Sequence, residues 1–153
     1  MNNSIVNVPN PVNEPIKEYK PGSPEKESVL GTYKRLKDSK TDVKMWIGGK
    51  FIESSQTSNM SPPHDHKHKL GEFSVGNASH VEKAIECAME AKEKWSNMSW
   101  ENRATIFLKA ADLLAGPYRD EMNAATMLCQ SKNVFQAEID ASIARLNTPL
   151  IPN

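Results

Sequence analysis

The spacing of apolar residues changes several times along the chain, and each change marks a different element. Between residues 25 and 39, Val29, Tyr33 and Leu36 recur four and three positions apart, which is one face of a short helix. Val43-Lys44-Met45-Trp46-Ile47 and Lys50-Phe51-Ile52 are β-type runs flanking Gly48-Gly49, so they predict a hairpin with a primed turn. Both turn residues need positive φ, which glycine supplies without steric cost. Residues 53–63 are polar, close on Pro62-Pro63 and read as a loop, and Lys69 to Val75 is a weak strand. Helical spacing then returns. Ser79-His80-Val81-Glu82 has the form of a capping box, with Val81, Ala84, Ile85, Ala88, Met89 and Trp95 on one face behind it. Ser99 caps a second helix of this block, running through Phe107, Ala110, Ala111 and Leu114. Gly116-Pro117 stops that helix and opens a third. A fourth runs from about Asn133 to Arg145.

Both ends break the pattern. Pro9, Pro11, Pro15, Pro21 and Pro24 crowd residues 1–24, where fixed φ and missing N–H donors disfavour helix and central strand. This region reads as an extended arm, either disordered or laid against another surface. Residues 146–153 follow no assignable pattern. The expected organisation is therefore the arm (1–24), a region of hairpins and amphipathic helices (25–145) and an atypical tail (146–153). One hairpin without a βαβ succession is an α+β arrangement, mainly helical, and not a complete doubly wound domain.

Composition narrows the function classes. Nineteen basic residues balance nineteen acidic ones, so no basic stripe points to nucleic acid. No apolar run approaches the ~18–20 residues of a membrane span. The first arginine is Arg35, and Glu14 and Glu18 come early, unlike an Arg-rich, acid-poor transit peptide. The start of the chain reads as mature or cytosolic. Cys87 and Cys129 lie far apart in helix-like segments and read as small buried side chains in a reducing compartment. No base beside either one in sequence would lower a thiol pKa.

Few residues invite chemistry. His64-Asp65-His66-Lys67-His68 alternates potential metal ligands, but a stable site needs three or four that converge. Lys67 and Lys69 would repel a cation, so a solvated loop is the preferred reading, with metal binding by His64, His66 and His68 as the alternative. No phosphate-cradling glycine motif is present, and Gly48-Gly49 sits in a hairpin, not at a strand-to-helix junction. Glu138 and Asp140, two apart on a helix, point to different faces and read as a solvated charge and a packing partner. Lys132, just before the last helix, opposes its dipole. No residue is assigned a catalytic, cofactor-binding or metal-binding role.

Several blocks together resemble one family. Asn13-Glu14-Pro15, Tyr19 and Pro21-Gly22-Ser23-Pro24-Glu25 resemble the N-terminal arm of 1-pyrroline-5-carboxylate dehydrogenases, which ordinary aldehyde dehydrogenases lack. Ile47-Gly48-Gly49-Lys50 resembles the first hairpin of the aldehyde dehydrogenase superfamily, and His66-x-His68-Lys69 with Phe73 resembles the loop and strand after that hairpin. Ala84-Ile85, Ala88, Ala91 and Trp95 are similar to the family's first long helix, and Asn102-Arg103-Ala104 through Asp112 to its second. Met127-Leu128, Gln130-Ser131-Lys132 and Gln136-Ala137-Glu138-Ile139-Asp140 resemble the third and fourth.

The resemblance implies part of an NAD-binding aldehyde dehydrogenase domain. Its members oxidise glutamate γ-semialdehyde, the open form of pyrroline-5-carboxylate, to glutamate in proline breakdown, usually in mitochondria. A cysteine thiolate attacks the aldehyde, hydride passes to NAD and a glutamate activates water. Those residues lie downstream of the matched stretch, and neither Cys87 nor Cys129 aligns with the nucleophile. The chain alone is therefore expected to be inactive and to bind no NAD. After Asp140 it departs from the family, an ending that reads as a truncated product, an alternative transcript or a frame error. The resemblance implies the mitochondrial matrix, and the missing transit signal favours the cytoplasm. The remaining alternative is a stand-alone interaction module that associates with itself or a full-length relative through exposed apolar helix faces.

Overall fold

A computed structural model of the protein describes residues 14–146, with side chains described through Asp140. The tail after Leu146 and the first 13 residues of the arm lie outside the described residues.

From Glu14 the chain runs without regular structure to a turn at Pro21-Gly22, and then enters α1, Pro24–Asp38. This helix begins one residue earlier than its apolar spacing suggested. Ser23 caps it, its hydroxyl accepting from the Lys26 amide, and Pro24 occupies the first turn, where no N–H is missed. Glu25 and Glu27 at the start and Arg35 and Lys37 at the end complement the dipole. The predicted face is the one that packs: Val29 is 1 % exposed, and Tyr33 and Leu36 are half-buried.

Five short strands come next: β1 Thr41–Val43, β2 Met45–Ile47, β3 Lys50–Ile52, β4 Thr57–Met60 and β5 Gly71–Ser74. The expected hairpin is β2–β3, with Ile47 opposite Lys50 and positive φ at Gly48 and Gly49. The run predicted as Val43–Ile47 divides, however. β1 leaves the hairpin and pairs in parallel with β5, which pairs antiparallel with β4. β4 is a correction to the loop reading of 53–63. Its Thr-Ser-Asn-Met sequence has no apolar alternation, and three of its four residues are exposed, so pairing with β5 makes it a strand. The candidate strand 69–75 proves to be the central strand of the three-stranded sheet. Gly71 is obligatory there, since a Cβ at that position would lie 1.9 Å from the Thr41 carbonyl oxygen.

Four helices complete the fold: α2 Ala78–Ser96, α3 Trp100–Ala115, α4 Arg119–Gln130 and α5 Val134–Leu146. α2 starts earlier than predicted. The capping box belongs to Asn77 and His80, with the Asn77 side chain accepting from the His80 amide and His80 Nδ1 accepting from the Asn77 amide. Ser79 is inside the helix, and its hydroxyl supports Asn77 Oδ1 at 2.8 Å. Ser99 does cap α3. Of the predicted face of α3, Ala111 is buried and Leu114 half-buried, but Phe107 and Ala110 are exposed and Ala104 is buried instead, so the buried stripe is rotated from the predicted one. An Asn133–Gln136 pair of reciprocal side-chain-to-amide bonds starts α5.

The core lies where α1, α4, α5 and α3 meet. Val29, Ala111, Ala124, Leu128 and Ala137 are buried there, and the alanines let the helices approach closely. α2 stands apart, touching β2 and, through the edge-on contact of Trp95 with Phe107 at 6.2 Å, α3. It buries no residue fully. Val81, Ile85 and Met89, on its predicted apolar face, are each more than half exposed.

Candidate functional site

The densest polar arrangement is built from the arm and two helices. Arg119 opens α4, Asn123 lies one turn later and Glu138 is in the second turn of α5. Spaced four apart, Arg119 and Asn123 share one face of α4. All three side chains are buried, Glu138 and Asn123 completely. The arm supplies Glu14, the Pro15 carbonyl, the Lys17 amide and Tyr19, whose ring is 5 % exposed.

The contacts converge on one carboxylate. Glu138 Oε2 accepts from the Tyr19 hydroxyl at 2.6 Å, from Asn123 Nδ2 at 2.7 Å and from Arg119 Nε at 3.2 Å. Its Oε1 accepts from the Lys17 amide at 3.1 Å and from Arg119 Nη2. Arg119 also donates to Glu14 at 3.0 Å and to the Pro15 carbonyl at 2.7 Å, and Asn123 donates to the Tyr19 oxygen at 2.9 Å. A buried ion pair offsets its desolvation only when its remaining lone pairs and protons are also satisfied; both oxygens of Glu138 are engaged here, while the buried Asn123 Oδ1 has no partner among the described residues.

The electrostatics depend on these bonds. Burial alone would raise the Glu138 pKa, but Arg119, Tyr19, the Lys17 amide and Asn123 together hold it down at about 2. Burial, reinforced by its bond to Glu138, pushes the Tyr19 phenol well above its ordinary range. The bond to Glu138 raises the Arg119 guanidinium in turn. A carboxylate with five donors is poorly placed to take up a proton. In this chain the cluster is a clasp that pins the arm to α4 and α5.

Glu138 is thus a correction to the sequence reading. It faces away from Asp140 as expected, but it is not a solvated charge. Its i+2 neighbour Asp140 is exposed and pairs with Lys132, which recasts the helix-opposing lysine as half of an ion pair. Neither the spacing nor the composition of Gln136-Ala137-Glu138-Ile139-Asp140 distinguishes the buried carboxylate from the exposed one. Periodicity gives no help, since Asp140 lies three positions from the fully buried Ala137, the same-face spacing, and Glu138 only one.

The other candidates disperse. His64 Nδ1 is 2.8 Å from the Ser131 hydroxyl, at the left-handed end of α4, while His68 Nε2 is 2.7 Å from the Lys37 carbonyl. The two imidazoles serve separate loop contacts, His66 is exposed, and no metal-ligand grouping occurs among the described residues. The expectation of two buried thiols is corrected: Cys129 is exposed and Cys87 half-buried, since α2 and the end of α4 lack covering elements. Among the described residues neither thiol has a hydrogen-bonding base. A small cavity of about 180 Å³ beside β1 and β5 is lined by Asp42, Lys44, Glu53 and Glu72. Three of these four charges are engaged in exposed pairs, Lys44–Glu53 and Lys69–Glu72, each of which lowers the pKa of its carboxyl partner.

The described residues do not form a dinucleotide cradle. Gly48 and Gly49 turn a hairpin, Gly71 meets a neighbouring strand, and neither small sheet leads through a glycine-rich turn into a helix. A groove of about 400 Å³ between β2 and α2 is lined chiefly by the apolar Met45, Ile47, Val81, Ala84, Ile85 and Ala88, with His80 at one end and no lysine or arginine. No described helix is long and apolar enough to cross a membrane.

Comparison with known proteins places these features. The family model described as the aldehyde dehydrogenase family matches residues 51–147. The chain is 42 % identical over 136 residues to a delta-1-pyrroline-5-carboxylate dehydrogenase of Agaricus bisporus, covering 88 % of this chain and 25 % of that protein. It is 39 % identical over 130 residues to the mitochondrial enzyme of that name from Homo sapiens, covering 85 % of this chain and 23 % of that one. The crystal structure of the Mycobacterium tuberculosis delta-pyrroline-5-carboxylate dehydrogenase bound with NAD and cobalamin superposes with a TM-score of 0.91 at 39 % identity. It covers 96 % of this chain and 29 % of that one. The chain thus spans about a quarter of the length of the curated relatives it matches. A 136-residue match within 153 residues reaches back into the arm ahead of α1, whereas the general family match begins in β3. With its hairpin, its helical layer and the matched stretch all in agreement, this chain belongs to the aldehyde dehydrogenase family.

Proposed function

We propose that this chain is the N-terminal scaffold of an NAD-dependent dehydrogenase that oxidises glutamate γ-semialdehyde, the open form of 1-pyrroline-5-carboxylate, to glutamate. The scaffold itself carries no catalytic, cofactor-binding or metal position. The observation that carries the reading is identity of about 40 % to enzymes of that name, reaching into the arm ahead of α1 and not confined to the general family region. Relatives named as mitochondrial, from Homo sapiens and Dictyostelium discoideum, favour the same compartment for the protein.

A chimera tests this. The matching N-terminal quarter of the Agaricus bisporus enzyme is replaced by these residues, and NADH formation from pyrroline-5-carboxylate is followed. The chimera should turn over within about tenfold of its parent, a difference of ~1.4 kcal/mol in the barrier. The isolated 153-residue chain should match a no-protein blank. A folded chimera that oxidises other aldehydes but not this one overturns the substrate assignment. Turnover by the isolated chain overturns the scaffold assignment.

One observation favours a second role for the isolated chain, as an interaction module. Val81, Ile85 and Met89 on α2 and Trp46 and Phe51 on the hairpin are all more than half exposed. Such a surface fits association with a second copy or a full-length relative.

A further inference from the structure

We infer that residues 14–20 form a strap that seats and unseats as one unit, and that its seat, Arg119, Asn123 and Glu138, couples the strap to the pairing of α4 with α5. The strap's bonds all end in one place. Glu14 and the Pro15 carbonyl are held by Arg119, the Lys17 amide by Glu138, and the Tyr19 hydroxyl by Glu138 and Asn123. These contacts span more than 100 residues of sequence yet end on three side chains that bond one another. Losing one contact leaves the others on a less fully satisfied buried ion pair, whose desolvation is then offset less well.

Two further features make the strap releasable. Tyr19 has φ of +51°, a left-handed conformation that a bulky side chain adopts only when its surroundings impose it. Its buried ring and hydroxyl supply that constraint, so local backbone preference pulls against the seat. Immediately after it, the turn at Pro21-Gly22 is closed by the Ser23 amide donating to the Lys20 carbonyl at 3.0 Å, with Gly22 at φ +77°, and a Cβ placed there would meet nothing within 4 Å, so no side chain packs on the turn between the strap and α1. Beyond the buried Tyr19 ring, apolar anchoring is slight, for Ile16 is half exposed. The seat residues lie inside the general family match and the strap outside it. The strap is therefore held by side chains that face it from the matched stretch.

Hydrogen exchange on the full chain, as wild type, Tyr19→Phe, Glu138→Gln and the double variant, tests the inference. Tyr19→Phe should speed exchange of the Lys17 amide at least about tenfold. Exchange should also rise at Ala124 in α4 and Ala137 in α5, while Trp46 and Lys50 in the separate hairpin stay unchanged. In the double variant, strap exchange should be no faster than in Glu138→Gln alone, because both act on one seat. A protected Lys17 amide in Tyr19→Phe, faster strap exchange without any change in α4 and α5, or additive effects in the double variant would each overturn it. Should Glu138→Gln fail to fold, Lys17→Pro removes the amide donor without touching the helices. It must then speed exchange at Glu18–Lys20, Ala124 and Ala137, and a wild-type pattern there overturns the coupling.

Discussion

Glu138 shows how much a single side chain depends on its surroundings. The unfolded carboxyl titrates near its ordinary value of 4.5, and in the folded protein at about 2. A depressed folded-state pKa stabilises the protein above pH ~4.5, and this contribution is lost as pH falls through the window down to about 2. Stability measured by denaturant titration should therefore decline on acidification across that window by a few kcal/mol. Glu138→Gln should flatten the decline while lowering stability at pH 7 by roughly 3–5 kcal/mol, the usual cost of breaking a buried pair. An acid limb unchanged in the variant would assign the pH dependence to the exposed carboxylates instead. Lys44–Glu53 and Lys69–Glu72 are poor candidates, because exposed pairs are screened and worth little.

Among the elements, helix starts show a similar dependence on context. Ser79 and Glu82 have the spacing of a capping box, but so do Asn77 and His80, and only the extended backbone of Asn77 makes it the cap. Asn77→Ala should destabilise the protein by about 1 kcal/mol in thermal or denaturant unfolding, and Ser79→Ala by clearly less. The reverse order would restore the later start. Helices α1 and α3 were legible to within a residue at their starts: Ser23-Pro24 opens the first, and Ser99 caps the second because Asn97, two positions earlier, is taken up in ending α2. β4 was not, since its polar residues owe their strand conformation to Gly71–Ser74 on the neighbouring strand.

Across the molecule, the described fold has a helical core on one side and an unburied layer on the other. The core joins α1, α3, α4 and α5. Two polar links tie α1 to α4, a hydrogen bond from Ser28 to Asp120 and an ion pair of Arg35 with Glu121, both at 2.5 Å. The other side presents α2 and the β2–β3 hairpin, with Trp46 and Phe51 edge to face at 4.6 Å. We expect the isolated chain to self-associate through this layer in sedimentation velocity at tens of micromolar, roughly the range of weak contacts. Ile85→Lys with Met89→Lys should restore the monomer and leave the melting temperature within about 2 °C, since exposed sites contribute little to stability. Association that persists in the double variant would place the contact elsewhere.

Local pattern was enough to settle the periodic elements, because a helix face or a glycine hairpin is written in residues a few positions apart. It also carried the family resemblance, since ordered blocks of local pattern survive without knowledge of their contacts. Contacts between distant segments were beyond its reach. The parallel pairing of β1 with β5, the strand nature of β4 and the burial of Glu138 each depend on a partner remote in sequence. Glu138 and Asp140 are the same kind of residue on the same helix, and a two-residue step separates their faces. Folding lays Tyr19 and Arg119 over one of those faces, which makes one carboxylate the hub of a buried clasp and leaves the other in solvent.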